Sequence, residues 1–205
     1  MTKLLSTEQM AEFANSGCLF FEGLIDEDIN KEFLNDIGHT DIDDVDNIQH
    51  YFQNIKSSSS IPRIPAGTAL KDAYPLNSPL EKIFKNEIVS GAINSLVGSK
   101  TVVDHQFLHL TFPSKYYAKA NQRQMSQVNH QDSTIDPRTT FDIQLFYFPT
   151  AVTKEMGGTR YIPGTHLRIV NEMGIAKYQN IKGQKNIICK AGTIGIFHNG
   201  LWHGA

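Results

Sequence analysis

Residues 128–133 read Val-Asn-His-Gln-Asp-Ser, and we predict that the fold is arranged to present this stretch. His130 and Asp132 are two positions apart, and side chains at that spacing point to the same face of a β-strand. An extended backbone would therefore direct an imidazole and a carboxylate towards one point. One further imidazole would complete the two-histidine, one-carboxylate ligand set of non-haem Fe(II) oxygenases.

A second His-x-Asp sequence occurs at His39 and Asp41, so the spacing alone is a weak signal. His39 stands in an acidic, polar run without strand-like alternation, whereas His130 leads into strand-like sequence. A run of like charges is usually a solvated face, so we interpret His39 and Asp41 as surface residues. The predicted metal site therefore rests on His130 and Asp132.

The composition is that of an ordinary globular chain. Its 205 residues are enough for a single domain, 1–205, with a substantial core. The net charge is −2 and no basic stripe occurs, which argues against nucleic acid or an anionic membrane as a partner. Cys18 and Cys189 have neither CxxC spacing nor a disulfide-rich context, and no apolar leader or bilayer-length run is present. These features predict a cytoplasmic protein.

Helical signals dominate residues 1–98. A capping box between Ser6 and Gln9 predicts a helix that ends at Gly17, and the apolar run 18–21 after it predicts a short strand. This segment is predicted to pack on the outside of the rest of the chain.

A second helix is predicted from Asp26 to Gly38. Residues 39–77 show little periodicity, so they are either a flexible surface loop or a lid over a pocket. Ser78 begins a further capping box, and an apolar stripe predicts one helix from there to Gly98.

Short β-rich runs separated by turn residues follow in 99–205. They are 101–103, 107–112, 141–148, 159–162, 186–189 and 193–197. Helices followed by many short strands predict an α+β protein, mainly β with flanking helices. Its core would be a jelly-roll or double-stranded β-helix of the cupin type.

The third metal ligand is predicted among the last residues. Residues 199–200 (Asn-Gly) signal a turn, after which the chain would re-enter a strand. We favour His203, which is flanked by Trp202 and by Gly204, whose small size would leave room for a ligand. His198 is interpreted as a histidine whose hydrogen bonds are satisfied beside the site.

Three other histidines have alternative interpretations. His105 and His109 are four positions apart on a predicted strand, where they would either line a pocket or be buried structural residues. His166 follows a Pro-Gly-Thr turn and is interpreted as a scaffold residue that holds that turn.

Four stretches occur in a characteristic order. They are 6–13 with 17–25, His130-Gln131-Asp132, the sequence Gly-Gly-Thr-Arg-Tyr-Ile-Pro-Gly-Thr-His at 157–166, and 190–198 leading to His203-Gly204. In this order and spacing the chain resembles the phytanoyl-CoA dioxygenase family of Fe(II)/2-oxoglutarate oxygenases over nearly its whole length.

The resemblance implies that His130, Asp132 and His203 hold Fe(II), that 2-oxoglutarate is the co-substrate, and that dioxygen and a small organic molecule are the reactants. The products would be succinate, CO2 and a substrate hydroxylated at a C–H bond. Halogenating members of the family resemble this pattern with a small residue in place of the carboxylate. The presence of Asp132 therefore favours hydroxylation.

One feature departs from the family. The basic residue that pairs with the far carboxylate of 2-oxoglutarate lies on a strand after the distal histidine, and this sequence ends at Ala205. Either the sequence is a fragment of a longer chain, or the protein anchors the co-substrate by other means; a missing last strand would leave an exposed sheet edge. Candidate cations are Lys115, Arg123 and Arg160; in the loop 113–127, the candidates for co-substrate contact are Lys115, Tyr116 and Gln127.

Two alternatives to the oxygenase remain. The chain could be a catalytically silent or fragmentary binding module that keeps the fold. It could also be a cupin-like metalloenzyme that does not use 2-oxoglutarate, for which the same three ligands would suffice.

Overall fold

The computed structural model describes residues 2–39, 61–110, 127–132, 141–167 and 180–205. The α-helices are α1 (Thr7–Ser16), α2 (Glu27–Asp36), α3 (Pro79–Lys85) and α4 (Glu87–Val97). The strands are β1 (Cys18–Phe21), β2 (Thr68–Ala69), β3 (Val102–Val103), β4 (Ile143–Phe148), β5 (Arg160–Tyr161), β6 (Lys185–Asn186), β7 (Thr193–His198) and β8 (His203–Gly204). The mixture of helices and sheets is as predicted.

The first helix follows its sequence signals closely. The side chain of Ser6 accepts a hydrogen bond from the backbone N–H of Gln9, whose own side chain accepts one from the N–H of Ser6. At the other end Gly17 has a φ of 78°, and its N–H donates to the carbonyl of Phe13. The capping box and the glycine stop are therefore confirmed.

The prediction of one helix from Ser78 to Gly98 is wrong, because the helix is interrupted at Asn86. This residue has an extended backbone (φ −53°, ψ 132°), and its side-chain oxygen accepts hydrogen bonds from the N–H groups of Ile88 and Val89. Asparagine competes with the helix for backbone donors, and here it caps α4 instead of continuing α3.

Two further expectations need correction. The interval 39–77 is not a loop throughout: Thr68 and Ala69 form β2, which pairs with β3, while residues 40–60 lie outside the described residues. The strand predicted at 107–112 is absent from its described part, 107–110. Just before it, the side chain of Gln106 binds the carbonyl of Pro62 and the hydroxyl of Tyr74, so side-chain hydrogen bonds hold this segment.

The central sheet has the antiparallel order β1-β7-β4, with β7 in the middle. Alternate residues of β7 face two different cores. Ile194 and Ile196 pack with the buried residues of the helices, such as Phe13 and Ile83, whereas Phe197 packs with Tyr161 of the neighbouring sheet. Full burial of one such aliphatic side chain stabilises a fold by roughly 1.5–3 kcal/mol. The sheet is thus covered by helices on one face and by a second sheet on the other.

The second sheet has the antiparallel order β6-β5-β8. Tyr161 of β5 lies directly opposite His203 of β8, and His203 forms a further antiparallel bridge with His130. The ring of Phe197, from the central sheet, contacts the ring of His203 edge-on at 6.1 Å between centroids. Packing between the sheets therefore fixes the strand that carries His203.

None of the helices in the described ranges is long and apolar enough to cross a membrane.

Candidate metal centre

Three side chains predicted as metal ligands lie together. The Nε2 atom of His130 is 3.1 Å from Oδ1 of Asp132, and the Nε2 atom of His203 is 3.3 Å from Oδ2 of the same carboxylate. One donor atom from each residue lies within 4.8 Å of the others. Two imidazoles and one carboxylate thus converge on one point, as the spacing of residues 130 and 132 predicts.

The backbone explains this convergence. His130 and His203 exchange two hydrogen bonds, with N···O distances of 2.8 and 3.0 Å. Residues directly opposite one another on antiparallel strands share a face, so both rings lie on the same side. Asp132 is two residues further on in extended chain and joins them, whereas Gln131 between them donates its amide to the carbonyl of Gly200 at 2.6 Å.

Each ring is oriented by a hydrogen bond to a nearby carbonyl. Nδ1 of His130 lies 2.8 Å from the carbonyl oxygen of Val128, and Nδ1 of His203 lies 2.9 Å from that of Leu201. A carbonyl can only accept, so Nδ1 carries a proton in each ring and Nε2 is the ring nitrogen that faces Asp132. Such outer contacts orient histidine ligands in metal sites.

The carboxylate is suited to a cation. Burial alone raises the pKa of Asp132, but its close contacts with His130 and His203 favour the anion and hold that pKa well below its ordinary value. Its Oδ2 atom is buried and accepts no well-aligned hydrogen bond from any described residue. A buried anionic oxygen without a donor is costly, and a divalent cation would remove that cost. The three residues therefore fit a metal ion.

The candidates for co-substrate contact are placed unevenly. The amide nitrogen of Gln127 lies 3.4 Å from Nε2 of His130, beside the metal-facing side of that ring. Lys115, Tyr116 and Arg123 lie outside the described residues, so their predicted roles stay predictions.

Arg160 lies close to the site but on the other face of the sheet. It is opposite Gly204, whereas its neighbour Tyr161 is opposite His203. Its Nε donates to the side-chain oxygen of Asn129 at 2.9 Å and its Nη2 to the carbonyl of Gln127 at 2.7 Å. These contacts favour a role for Arg160 other than binding the co-substrate carboxylate.

Two other histidines have the structural roles that the sequence predicts. Nδ1 of His198 accepts a hydrogen bond from the N–H of Gly200 at 2.9 Å. Nε2 of His166 lies 3.1 Å from the carbonyl of Ala14 and ties the turn after β5 to α1. Burial lowers the pKa of both rings, that of His198 to about 4 with a further contribution from the charge of His166.

His105 and His109 do not lie on a strand. Their rings flank Phe107, with centroid distances of 5.2 and 4.7 Å. Burial lowers the pKa of His109, the Asp132 carboxylate raises it, and the charges of His130 and His203 lower it further. The Asp132 carboxylate of the metal centre therefore acts on the His109 ring.

Sequence reasoning missed one residue beside the centre, Asn129, and misassigned the role of another, Gly204. Asn129 is 1% exposed and binds Arg160, and the absence of a side chain at Gly204 makes room for protein atoms rather than for a ligand. The available signal for Asn129 was its position: it precedes His130, so in extended chain it must face away from the metal.

Taken together, an inter-sheet site with two histidines, one carboxylate and hydrogen bonds that orient both rings is typical of non-haem metal oxygenases. The family model of phytanoyl-CoA dioxygenase (PhyH) matches residues 13–205. The chain therefore belongs to the phytanoyl-CoA dioxygenase family, and the predicted enzyme class, an Fe(II)/2-oxoglutarate-dependent oxygenase, is confirmed at the level of the family.

Solved structures show the same fold at low sequence identity. HygX from Streptomyces hygroscopicus, with nickel and 2-oxoglutarate bound, is 12% identical with a TM-score of 0.59, over 98% of this chain and 80% of that one. SnoK, a non-haem alpha-ketoglutarate-dependent carbocyclase from nogalamycin biosynthesis, is 14% identical with a TM-score of 0.55, over 100% and 79%. EctD from S. alaskensis is 16% identical with a TM-score of 0.56, over 98% and 70%. No curated protein matches the sequence at a significant level.

Proposed function

We propose that this protein hydroxylates a C–H bond of a small organic substrate, with Fe(II) as the metal, 2-oxoglutarate as co-substrate, and succinate and CO2 as co-products. The observation that carries the proposal is the convergence of Nε2 of His130, Nε2 of His203 and the Asp132 carboxylate. Family membership supplies the enzyme class, and HygX has been solved with 2-oxoglutarate bound.

His130, Asp132 and His203 would hold the iron, and three ligands from the protein leave positions for co-substrate and dioxygen. When bound, Fe(II) would supply the activation of dioxygen, which is the oxidant, while 2-oxoglutarate would supply two of the electrons and the C–H bond the other two. Through the Nδ1–H bonds to Val128 and Leu201, the protein turns both Nε2 atoms towards the metal position. It also keeps the carboxylate ionised.

Gln127 is our candidate for a direct co-substrate contact, since its amide reaches the metal-facing side of His130. An amide N–H at that place can donate to a carboxylate oxygen of a bound ligand. Lys115 and Tyr116 remain candidates from the same loop.

Hydroxylation is the proposed outcome because Asp132 keeps the carboxylate in the ligand set. A chloride ion would need the position that this carboxylate occupies. We further propose that residues 1–205 form a single oxygenase domain, whose two packed sheets belong to a double-stranded β-helix. Burial of both faces of β7 supports this assignment.

Anaerobic addition of Fe(II) and 2-oxoglutarate tests the proposal. We expect a weak charge-transfer absorption band that is lost in His130→Ala. His39→Ala is the matched control, because it alters the other His-x-Asp sequence, at an exposed position, and should keep the band. A wild-type protein with no band would contradict the use of 2-oxoglutarate. Succinate formed on admitting oxygen separates an active oxygenase from a silent binding module.

A further inference from the structure

The reverse face of the metal-binding strands holds a continuous row of three residues. Arg160 is opposite Gly204 in the β5–β8 pair. The bridge between His130 and His203 places Asn129 beside Gly204 on the same face. The Arg160 side chain crosses Gly204 to reach Asn129, which is 1% exposed, and donates to it at 2.9 Å.

A glycine is needed at the centre of this row. A Cβ atom on Gly204 would lie 2.9 Å from the carbonyl oxygen of Gln127, 3.0 Å from that of Val128 and 3.1 Å from Nη2 of Arg160. A contact shorter than about 3.4 Å requires the neighbours to shift. The bare backbone of Gly204 therefore lets the guanidinium lie close to the strand that precedes His130.

The two hydrogen bonds of Arg160 go to the residues on either side of Val128. Nη2 binds the carbonyl of Gln127 at 2.7 Å, and Nε binds the side chain of Asn129. Between these two residues stands Val128, whose carbonyl accepts the Nδ1–H of His130. Holding both neighbours of Val128 fixes the carbonyl that sets the direction of the His130 ring.

We infer that Arg160 is a positioning residue for the metal centre, which acts through Gln127, Val128 and Asn129 to aim Nε2 of His130. This inference rests on the proposed function, since it takes His130 as an iron ligand. Arginine suits the task because its planar fork holds two acceptors in a fixed geometry, which a lysine ammonium does not. This positioning role replaces the prediction that Arg160 binds the far carboxylate of 2-oxoglutarate, because the Arg160 side chain faces away from the ligand set.

The test compares metal affinity with co-substrate affinity. Metal-free wild type, R160Q, R160K and R63Q are titrated anaerobically with Co(II), followed by its absorption spectrum. R63Q is the matched control, since Arg63 is exposed and distant in sequence from the site. Thermal unfolding of the metal-free proteins is recorded in parallel. The affinity of the Fe(II)-loaded proteins for 2-oxoglutarate is then measured through the charge-transfer band.

We expect Co(II) affinity to fall by about 10-fold or more in both R160Q and R160K, as is typical for loss of an outer-shell partner, and to be unchanged in R63Q. The Co(II) spectrum of the Arg160 variants should change shape, because the His130 ring is less fixed.

Three results would overturn the inference. An unchanged Co(II) affinity with weaker 2-oxoglutarate binding would make Arg160 a co-substrate anchor. A lower melting temperature with wild-type Co(II) affinity in the folded protein would make its role purely structural. Failure of the wild type itself to bind Co(II) would remove the proposed function, and the positioning role with it. If R160Q does not fold, two variants of Asn129 replace it in the test. Asn129→Asp keeps the acceptor for Arg160 and should bind Co(II) with wild-type affinity. Asn129→Ala removes the acceptor and should bind Co(II) more weakly.

Discussion

Two pairs of histidines in this protein lie similarly close together, yet they differ in what they can bind. The rings of His130 and His203 have centroids 4.5 Å apart, and those of His166 and His198 are 5.0 Å apart. In the first pair both Nδ1 atoms donate to carbonyls and both Nε2 atoms face a carboxylate. The ring separations are similar, but the partners of the ring nitrogens differ.

The second pair is built into the packing. One ring nitrogen of each histidine contacts a backbone group: Nδ1 of His198 at Gly200 and Nε2 of His166 at Ala14. The ring of His198 also packs against Phe141, with centroids 5.1 Å apart. Within the described residues, the first pair lies in a group of three metal-binding side chains and the second does not. A pair of imidazoles therefore indicates a metal site only when a carboxylate joins it and the outer hydrogen bonds turn both Nε2 atoms towards that carboxylate.

The largest expected effect is the loss of the shared carboxylate. Asp132→Ala removes one of three ligands, so we expect metal affinity to fall by more than about 100-fold, beyond the range for outer-shell changes. Calorimetric titration with Fe(II) under argon measures it. The metal-free variant should remain folded, since Asp132 belongs to neither hydrophobic core cluster. A tenfold change in affinity corresponds to roughly 1.4 kcal/mol. If the Fe(II) affinity of Asp132→Ala were within tenfold of the wild-type value, the metal would bind elsewhere.

The next-largest effect concerns the His166–His198 pair. We expect it in the free energy of unfolding and not in metal affinity. Gly17 has a φ of 78°, and a Cβ atom there would lie 2.4 Å from Nδ1 of His166. Gly17→Ala therefore combines a left-handed backbone with a steric overlap, and we expect a loss of about 2–4 kcal/mol in the free energy of unfolding. Urea denaturation measures this loss. Metal affinity of the folded variant should stay within about twofold, and a parallel fall in affinity would mean that the two pairs are coupled.

The smallest effect is a change in pH dependence. The folded pKa of His198 is about 4, below its ordinary value of 6.5, because of burial and the nearby charge of His166. The folded state thus disfavours protonation. Its contribution to stability is complete above about pH 6.5 and is lost as the pH falls from there through about 4.

We therefore expect His198→Gln to weaken the fall in unfolding free energy between about pH 7 and pH 5. The measurement is a series of urea denaturations, with His39→Gln as an exposed control. Equal pH slopes for the wild type and His198→Gln would contradict the buried, neutral state of this ring.

The sequence predicts local features of the site better than long-range ones. His130 and Asp132 share a face because of strand alternation, and the caps at Ser6 and Ser78 depend on residues within one helical turn. His203 followed from the turn before it.

The features that the sequence did not predict depend on strand register, or on competition between side-chain hydrogen bonds and regular secondary structure. The contact of Arg160 with Asn129 joins residues 31 positions apart and requires the alignment of three strands. The helix breaks at Asn86 because its side chain caps the following helix instead of allowing the preceding one to continue. The apolar stripe across this position does not indicate the break. At 107–110, β-rich composition does not give a strand, and at Gln106 side-chain hydrogen bonds to Pro62 and Tyr74 hold the chain instead.

The most direct measurement is anomalous X-ray diffraction from crystals of the protein loaded anaerobically with Fe(II). The expected result is a single iron bonded to Nε2 of His130, Nε2 of His203 and a carboxylate oxygen of Asp132. Iron bound instead at the His166–His198 pair, or no ordered iron in protein that is otherwise folded, would contradict the assignment of these three residues as the metal centre.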